Sequence, residues 1–193
     1  MNNFFLVLFA CLLTCSFVYS EDNPVIKNIL NRKSVRQYTS QSVEKEKIDT
    51  ILKAGMASPS AVNLQPWELV LVTDKKILNE IAQKHPYASF TKNASVAIVV
   101  CGNSEISPDY WVQDCSAVTE NILLATESLG LGAVWCGIYP NRDRLSEIQK
   151  ILKLPKNIVP LSLIPVGYPK GENLPKQKYN PSKIHINSWT LNK

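Results

Sequence analysis

The sequence predicts an α+β fold built from few strands and one long central helix. Residues 109–129 carry a broad stripe of apolar side chains at helical spacing, so they are predicted to form the longest helix and to lie in the core. Residues 94–101 form an apolar, valine-rich run typical of a buried strand, and residues 158–167 are predicted as a last core strand. No internal repeat or long low-complexity linker divides the chain, which indicates a single domain.

Four shorter helices are predicted, each opening after a residue that can cap its first turn. They are residues 24–31, 43–56, 75–84 and 142–152, with Asn23, Ser42, Asp74 and Asn141 as the respective N-caps. Two further strands are predicted over residues 68–73 and 133–138. The tail from residue 168 is rich in Pro, Lys and Asn and lacks periodicity, so it must lie on other structure to be ordered.

Two glycines, Gly130 and Gly132, superficially resemble a dinucleotide-binding loop. They follow a predicted helix and precede a predicted strand, which is the reverse of the order that such a loop requires. We therefore interpret them as the end of the long helix.

Residues 1–20 are predicted to be a cleaved signal peptide, because residues 4–18 are almost continuously apolar and Ser20 is a small residue at the cleavage position. The apolar stretch is too short for a comfortable membrane span. An uncleaved membrane anchor and lipid attachment at Cys11 or Cys15 are the alternatives. Cleavage would leave one domain, residues 21–193, and would place the protein in the periplasm or outside the cell.

Composition excludes several classes of function. The net charge of +5 is modest and the basic residues are scattered, which favours small anionic ligands over nucleic acid. Cys101, Cys115 and Cys136 stand in apolar surroundings and are predicted to be buried free thiols. The two histidines, His85 and His185, are far apart in the sequence, which argues against a metal site.

The most informative segment is the predicted helix-to-strand connection over residues 57–67. It carries four short polar side chains, Ser58, Ser60, Asn63 and Gln65, and is stiffened by Pro59 and Pro66. Such side chains can hydrogen-bond the donors and acceptors of a planar heteroaromatic ring. An ordinary polar loop is the alternative interpretation.

A second segment, residues 32–36, places three cations and a hydroxyl within five residues. Arg forks, a Lys ammonium and a Ser hydroxyl all bind phosphate oxygens, although a basic cluster alone is usually a solvated surface. Together the two segments offer a phosphate site and a ring-binding loop, which match the two ends of flavin mononucleotide (FMN).

With these two segments, the chain resembles the nitroreductase family, the FMN-dependent NAD(P)H oxidoreductases. The matching stretches are RKSVRQY (residues 32–38), SPSAVNLQPW (58–67) and LGLGAVWCG (129–137), with a weaker match in KIHINSW (183–189). The resemblance spans roughly residues 25–190.

The resemblance implies a central mixed, mainly antiparallel sheet flanked by helices, in two interlocked subunits with FMN at their interface. It implies a ping-pong reaction in which NAD(P)H transfers a hydride to flavin N5 and a nitroaromatic, a quinone or a similar small acceptor then takes the electrons.

The resemblance also assigns site residues. Those expected to hold the FMN phosphate and ribityl chain are Arg32, Lys33, Ser34 and Arg36, with added charge from Lys183. Those expected to reach the flavin from the partner subunit are Pro59, Ser60 and Asn63, whereas Gln65 is expected to contact ribityl or ring atoms in its own subunit. Those expected beside the ring are Trp135, Cys136 and Gly137, with a simple buried strand end as the alternative. No catalytic acid, base, nucleophile or metal ligand is assigned.

Three other functions compete with this interpretation. The same fold hosts dehalogenases and an enzyme that degrades flavin. The chain could also be a secreted flavin-binding protein without turnover, or a cationic surface protein that binds anionic polymers. The export signal also leaves the electron donor open, since NADH and NADPH are abundant in the cytoplasm.

Overall fold

The computed structural model of the protein describes residues 23–189. The predicted signal peptide, residues 1–20, lies outside the described residues. No helix among residues 23–189 is both long enough and apolar enough to cross a lipid bilayer.

The described chain contains five α-helices. They are α1 (Pro24–Asn31), α2 (Lys45–Met56), α3 (Lys75–Lys84), α4 (Trp111–Ser128) and α5 (Arg142–Leu152). Short 3₁₀ turns occur at Ala61–Asn63, Ser89–Asn93 and Pro181–Lys183. The predicted long helix is thus confirmed as α4, and it ends where Gly130 adopts a φ of +71°, as the helix-end interpretation requires.

Three of the four predicted N-caps are confirmed. The side chains of Asn23, Asp74 and Asn141 each accept a hydrogen bond from a backbone N–H in the first turn of the following helix. The prediction of Ser42 is wrong, because α2 begins at Lys45 after Glu44. The Val43 N–H instead donates to Ser95 Oγ at 2.8 Å, which holds this residue against the core before the helix can start.

The strands form one open sheet in which all strand pairs are antiparallel. They are β1 (Trp67–Val72), β2 (Val96–Asn103), β3 (Gly132–Ala133), β4 (Cys136–Gly137) and β5 (Ile158–Gly167). The order is β1-β2-β5, with both β3 and β4 on the far side of β5. A single parallel bridge between Ser34 and Ala133 extends that edge, so the predicted mixed, mainly antiparallel sheet is confirmed.

The prediction of one strand over residues 133–138 is wrong, since β3 and β4 are separate two-residue strands. Both pair with β5 in one continuous register, and that register places Pro165 opposite the gap. Proline has no N–H to donate, so the ladder is interrupted there.

The core lies on both faces of the sheet. Strand β2 is buried on both sides, and its side chains alternate between the faces. Ile98 and Val100 pack with α2 and α4, whereas Ala97 and Val99 pack with α3 and α5. The three described cysteines are buried free thiols, as predicted.

His85 joins helix α3 to the sheet edge. It caps the C-terminus of α3 and is only 2% exposed. Its Nε2 lies 3.1 Å from the Gly137 carbonyl oxygen, and its Nδ1 lies 3.3 Å from the Tyr87 N–H nitrogen. Burial lowers the pKa of His85, the charge of Arg144 lowers it further, and the hydrogen bond to Gly137 opposes this shift only in part.

These contacts predict that the stability of the protein falls in mild acid. Because the pKa of His85 is lower in the folded chain than in the unfolded chain, the unfolded chain binds more protons in mild acid. The stabilisation is complete above about pH 6.5, the ordinary pKa of histidine, and is lost as the pH falls through the pKa of His85 in the folded chain. Urea unfolding between pH 7.5 and 5 measures this decline, and His85→Gln should flatten it. His185→Gln is the control and should lose stability in acid as the wild type does. If His85→Gln loses as much stability as the wild type between pH 7.5 and 5, His85 is not the group responsible.

Candidate functional site

The structure brings two of the predicted segments together along one edge of the sheet. The Val35 N–H donates to the Ala133 carbonyl at 2.9 Å, so residues 32–36 run beside β3. The Tyr38 hydroxyl then donates to the carbonyls of Val35 at 2.8 Å and Pro165 at 3.1 Å. Cys136 and Gly137 follow on the same edge. The basic segment and the segment expected beside the ring therefore share one border of the molecule.

Helix α4 orients the first two cations of the basic segment. Lys33 Nζ lies 2.6 Å from Glu127 Oε1, and Arg32 Nε lies 3.6 Å from Glu120 Oε1. Both basic side chains are largely covered, with 15% and 24% exposure for Arg32 and Lys33, respectively. The carboxylates thus hold these cations in place and partly offset their charge.

A cavity of about 290 Å³ lies over this segment. The residues that line it are Arg32, Lys33, Ser34, Arg36, Leu174, Lys176 and Lys178. Four of the five residues predicted to bind the phosphate are therefore gathered at one site. The C-terminal tail also reaches the site, although through Lys176 and Lys178; Lys183 ends the Pro181–Lys183 turn and is not among the lining residues.

The cavity has a positive charge that its neighbours do not cancel. Within residues 23–189, Arg36, Lys176 and Lys178 form no ion pair, and the lining of this cavity contains no acidic side chain. Guanidinium and ammonium groups around a Ser hydroxyl form a donor set suited to a phosphate monoester. The residues present therefore fit the phosphate end of FMN.

Gly137 lies beside open space. A Cβ added at this position would meet no atom of the described residues within 4 Å, and the φ angle lies outside the left-handed region. By contrast, a Cβ at Gly132 would lie 2.7 Å from the side chain of Val35. Neither the backbone conformation nor the packing of the part of the chain that the structure describes requires glycine at position 137. A flat ring resting on the main chain would explain it.

Trp135 and Cys136 precede this glycine on the same edge. Trp135 is 38% exposed, whereas Cys136 is buried. Burial raises the pKa of the Cys136 thiol to about 11, and the charge of Arg36 lowers it only in part. The thiol is therefore protonated at neutral pH and is not poised as a nucleophile.

The polar loop is strained and internally bonded. Val62, Asn63 and Gln65 have φ angles of +42°, +59° and +50°, which non-glycine residues seldom adopt. The Gln65 N–H donates to Ser60 Oγ at 2.9 Å, and Gln65 Nε2 donates to Asn63 Oδ1 at 2.9 Å. Backbone strain of this kind clusters at functional sites, where surrounding structure enforces it.

Buried Asp114 on α4 anchors this loop. Its carboxylate accepts the Ala61 N–H at 3.0 Å and the Ser107 hydroxyl at 3.3 Å. Nearby, the buried Ser58 hydroxyl has no hydrogen-bond partner among the described residues. The Asp114 carboxylate thus fixes the base of the loop to helix α4, whereas Val62 at the tip of the loop is 89% exposed.

The loop does not meet the basic cavity within one chain. None of Pro59, Ser60, Asn63 and Gln65 lines that cavity. The loop leads into β1, and two strands separate β1 from β4, a distance of roughly 14 Å at ordinary strand spacing. The expected own-subunit contact of Gln65 with ribityl or ring atoms stays a prediction. The separation of the loop from the cavity agrees with a site completed by a second chain.

Four residues at this site, Lys176, Lys178, His85 and Arg144, were not predicted from the sequence. Lys176 and Lys178 alternate along the extended tail, a spacing that can place both on one side, but nothing local marks the side. His85 and Arg144, which both contact the Gly137 carbonyl, are 52 and 7 residues from it in the sequence. No sequence pattern available from one chain joins these positions.

Comparison with known proteins assigns the chain to a family. The Nitroreductase family profile matches residues 29–85 and 82–168. A protein of Methanothermobacter thermautotrophicus with the provisional name NADH dehydrogenase/NAD(P)H nitroreductase is 43% identical over 167 residues, covering 86% of this chain and 87% of its own.

Solved structures agree with the profile. A Parabacteroides distasonis protein with the same provisional name is 50% identical with a TM-score of 0.86, covering 87% of this chain and 100% of its own. An FMN-dependent nitroreductase of Clostridium difficile is 31% identical with a TM-score of 0.81, covering 85% of this chain and 99% of its own. Relatives at 28% to 31% identity are named NADPH-flavin oxidoreductase, FMN reductase and iodotyrosine deiodinase. The chain therefore belongs to the nitroreductase family.

Proposed function

We propose that this protein is an FMN-dependent NAD(P)H oxidoreductase that reduces a nitroaromatic, a quinone or a similar small acceptor by a ping-pong mechanism. The observation that carries the proposal is the pairing of a cation-lined cavity with open space beside Gly137 on one sheet edge. The names of relatives such as FMN reductase and FMN-dependent nitroreductase support the choice of cofactor and donor.

The residues of this chain would bind FMN and orient its ring. Arg32, Lys33, Ser34 and Arg36, with Lys176 and Lys178 from the tail, would hold the phosphate. Trp135, Cys136 and Gly137 would lie along the ring. When bound, FMN supplies hydride and electron transfer at one ring face, so donor and acceptor must use the same site in turn. Main-chain groups near Gly137 would stabilise negative charge on the ring.

We also propose that the active form is a homodimer. Helix α1 contains no buried residue, and its Val25, Ile29 and Leu30 are 63%, 45% and 65% exposed. Ile186 and Trp189 of the tail are 79% and 80% exposed. Apolar surface of this extent is typical of an interface. A second chain would cover it and would bring the strained loop, with Pro59, Ser60 and Asn63, to the ring.

Reductive dehalogenation is the second candidate, because two relatives at 28% identity are named iodotyrosine deiodinase. One experiment tests the main proposal and separates the two. NADH or NADPH is added without oxygen to the purified protein, and the flavin absorbance is followed. We expect bleaching, and recovery on adding a nitroaromatic or quinone; recovery only with an iodinated phenol would favour the second candidate. Absence of bleaching with both donors would contradict the proposed donors.

We propose that residues 21–193 form the mature, exported domain, with residues 1–20 as its signal peptide. The apolar composition of residues 4–18 supports this proposal. Intact mass spectrometry of protein from the native cell envelope should show a chain that begins at Glu21. A mass that includes residues 1–20 would contradict cleavage.

Removing the Arg32 side chain should weaken FMN binding. Arg32→Ala deletes a charged donor from the cavity, a loss of about 1.5–3 kcal/mol that raises the dissociation constant about 10- to 150-fold. Quenching of FMN fluorescence measures the constant. Lys76→Ala, which removes an exposed cation on α3, is the matched control. Unchanged affinity in Arg32→Ala would refute the phosphate assignment.

Adding one methyl group at Gly137 should impair FMN binding without loss of stability. The added Cβ meets no atom of residues 23–189, so the urea midpoint of Gly137→Ala should match that of the wild type. FMN affinity should fall because the methyl group occupies the place of the ring. Gly132→Ala is the contrasting variant and should lose about 1–3 kcal/mol of stability through its clash with Val35. If Gly137→Ala binds FMN as tightly as the wild type, the flavin ring does not lie beside Gly137.

A further inference from the structure

The Gly137 carbonyl receives two side-chain hydrogen bonds, one from the end of α3 and one from the neighbouring helix α5. His85 Nε2, at the end of α3, lies 3.1 Å from the oxygen, and Arg144 Nη1, on α5, lies 2.9 Å from it. This carbonyl belongs to an edge strand of only two residues. Two side-chain donors therefore bind a main-chain oxygen in a short segment that contributes little to the sheet.

The hydrogen-bond pattern fixes the form of the histidine. Nδ1 faces the Tyr87 N–H at 3.3 Å and must accept, so the ring proton lies on Nε2 and is donated to Gly137. The Arg144 guanidinium lies over the Tyr87 ring at 5.0 Å from its centroid. His85, Tyr87, Arg144 and Gly137 therefore form a closed set of contacts, which we call the Gly137 clamp.

The clamp holds a segment that its own ladder holds weakly. Strand β4 pairs only with Leu163 and Ser162 of β5, and Pro165 interrupts the ladder on one side. On the other side, the Ile138 N–H, in the same peptide group as the clamped carbonyl, donates to Leu161 at 3.0 Å. Donors on the carbonyl strengthen this bond by polarising the peptide group.

We infer that His85 and Arg144 are positioning residues that fix the Gly137 main chain against the flavin ring. The inference rests on the proposed function, since it assumes that FMN occupies the space beside Gly137. Neither side chain needs to touch FMN. They act by holding the peptide whose position sets how closely the ring can lie and how well its negative charge is stabilised.

The test uses full-length protein with FMN as the probe. His85→Leu and Arg144→Met each remove one donor from the carbonyl and keep much of the side-chain volume. His85→Gln is the conservative variant, because its amide nitrogen can still donate to Gly137. Lys84→Gln is the matched control, since it breaks the exposed Lys84–Glu147 ion pair between the same two helices and leaves the clamp intact.

Two quantities are measured for each variant: the FMN dissociation constant and the reduction potential of bound FMN. We expect His85→Leu and Arg144→Met to weaken binding about three- to tenfold and to make the potential more negative, as a loosened contact with the ring predicts. His85→Gln should restore most of both values, and Lys84→Gln should resemble the wild type.

The outcomes separate this inference from the proposed function. If the wild type binds no FMN, the proposed function fails and the clamp fails with it. If the wild type binds FMN and Arg144→Met shows the same affinity and potential, the positioning role alone is refuted. Should buried His85→Leu fail to fold, Arg144→Met and His85→Gln carry the test, since Arg144 is only partly buried.

Discussion

The hydrogen bond from the Val35 N–H to the Ala133 carbonyl is the contact on which the rest of the proposed site depends. It fastens the N-terminal basic segment to the same sheet edge that carries Gly137. The close approach of Val35 to Gly132 and the buried Tyr38 hydroxyl reinforce the attachment. Without it, the cations that suit a phosphate and the open space that suits a ring would belong to different parts of the molecule.

The site combines rigid and exposed parts, and each has a physical cause. Helix α4 supplies the rigid part, because one buried element holds Lys33 through Glu127 and the strained loop through Asp114. The exposed parts are the apolar face of α1 and the tip of the loop at Val62. The rigid part and the exposed apolar parts together agree with a chain that folds by itself and whose binding site is completed by a second copy.

Most of the fold could be predicted from signals local in the sequence, whereas the wrong predictions concern places where a contact with a distant residue determines the structure. Asn23, Asp74 and Asn141 were predictable as caps because a cap bonds within its own first turn. The prediction of Ser42 as a cap was wrong because the hydroxyl of Ser95, which is distant in the sequence, accepts the Val43 N–H. The break between β3 and β4 likewise comes from Pro165 on the neighbouring strand. At the site, the cluster at residues 32–36 was visible in the sequence, but Lys176 and Lys178 belong to a tail without periodicity, and only the fold brings them to the cavity.

The proposed function depends above all on the binding of a phosphate group in the cation-lined cavity. Titration calorimetry of the cofactor-free protein with FMN and with riboflavin, which lacks the phosphate, tests it most directly. We expect FMN to bind at least tenfold more tightly than riboflavin, and added salt to reduce this difference in affinity. Equal affinity for the two compounds, or no binding of either, would contradict it.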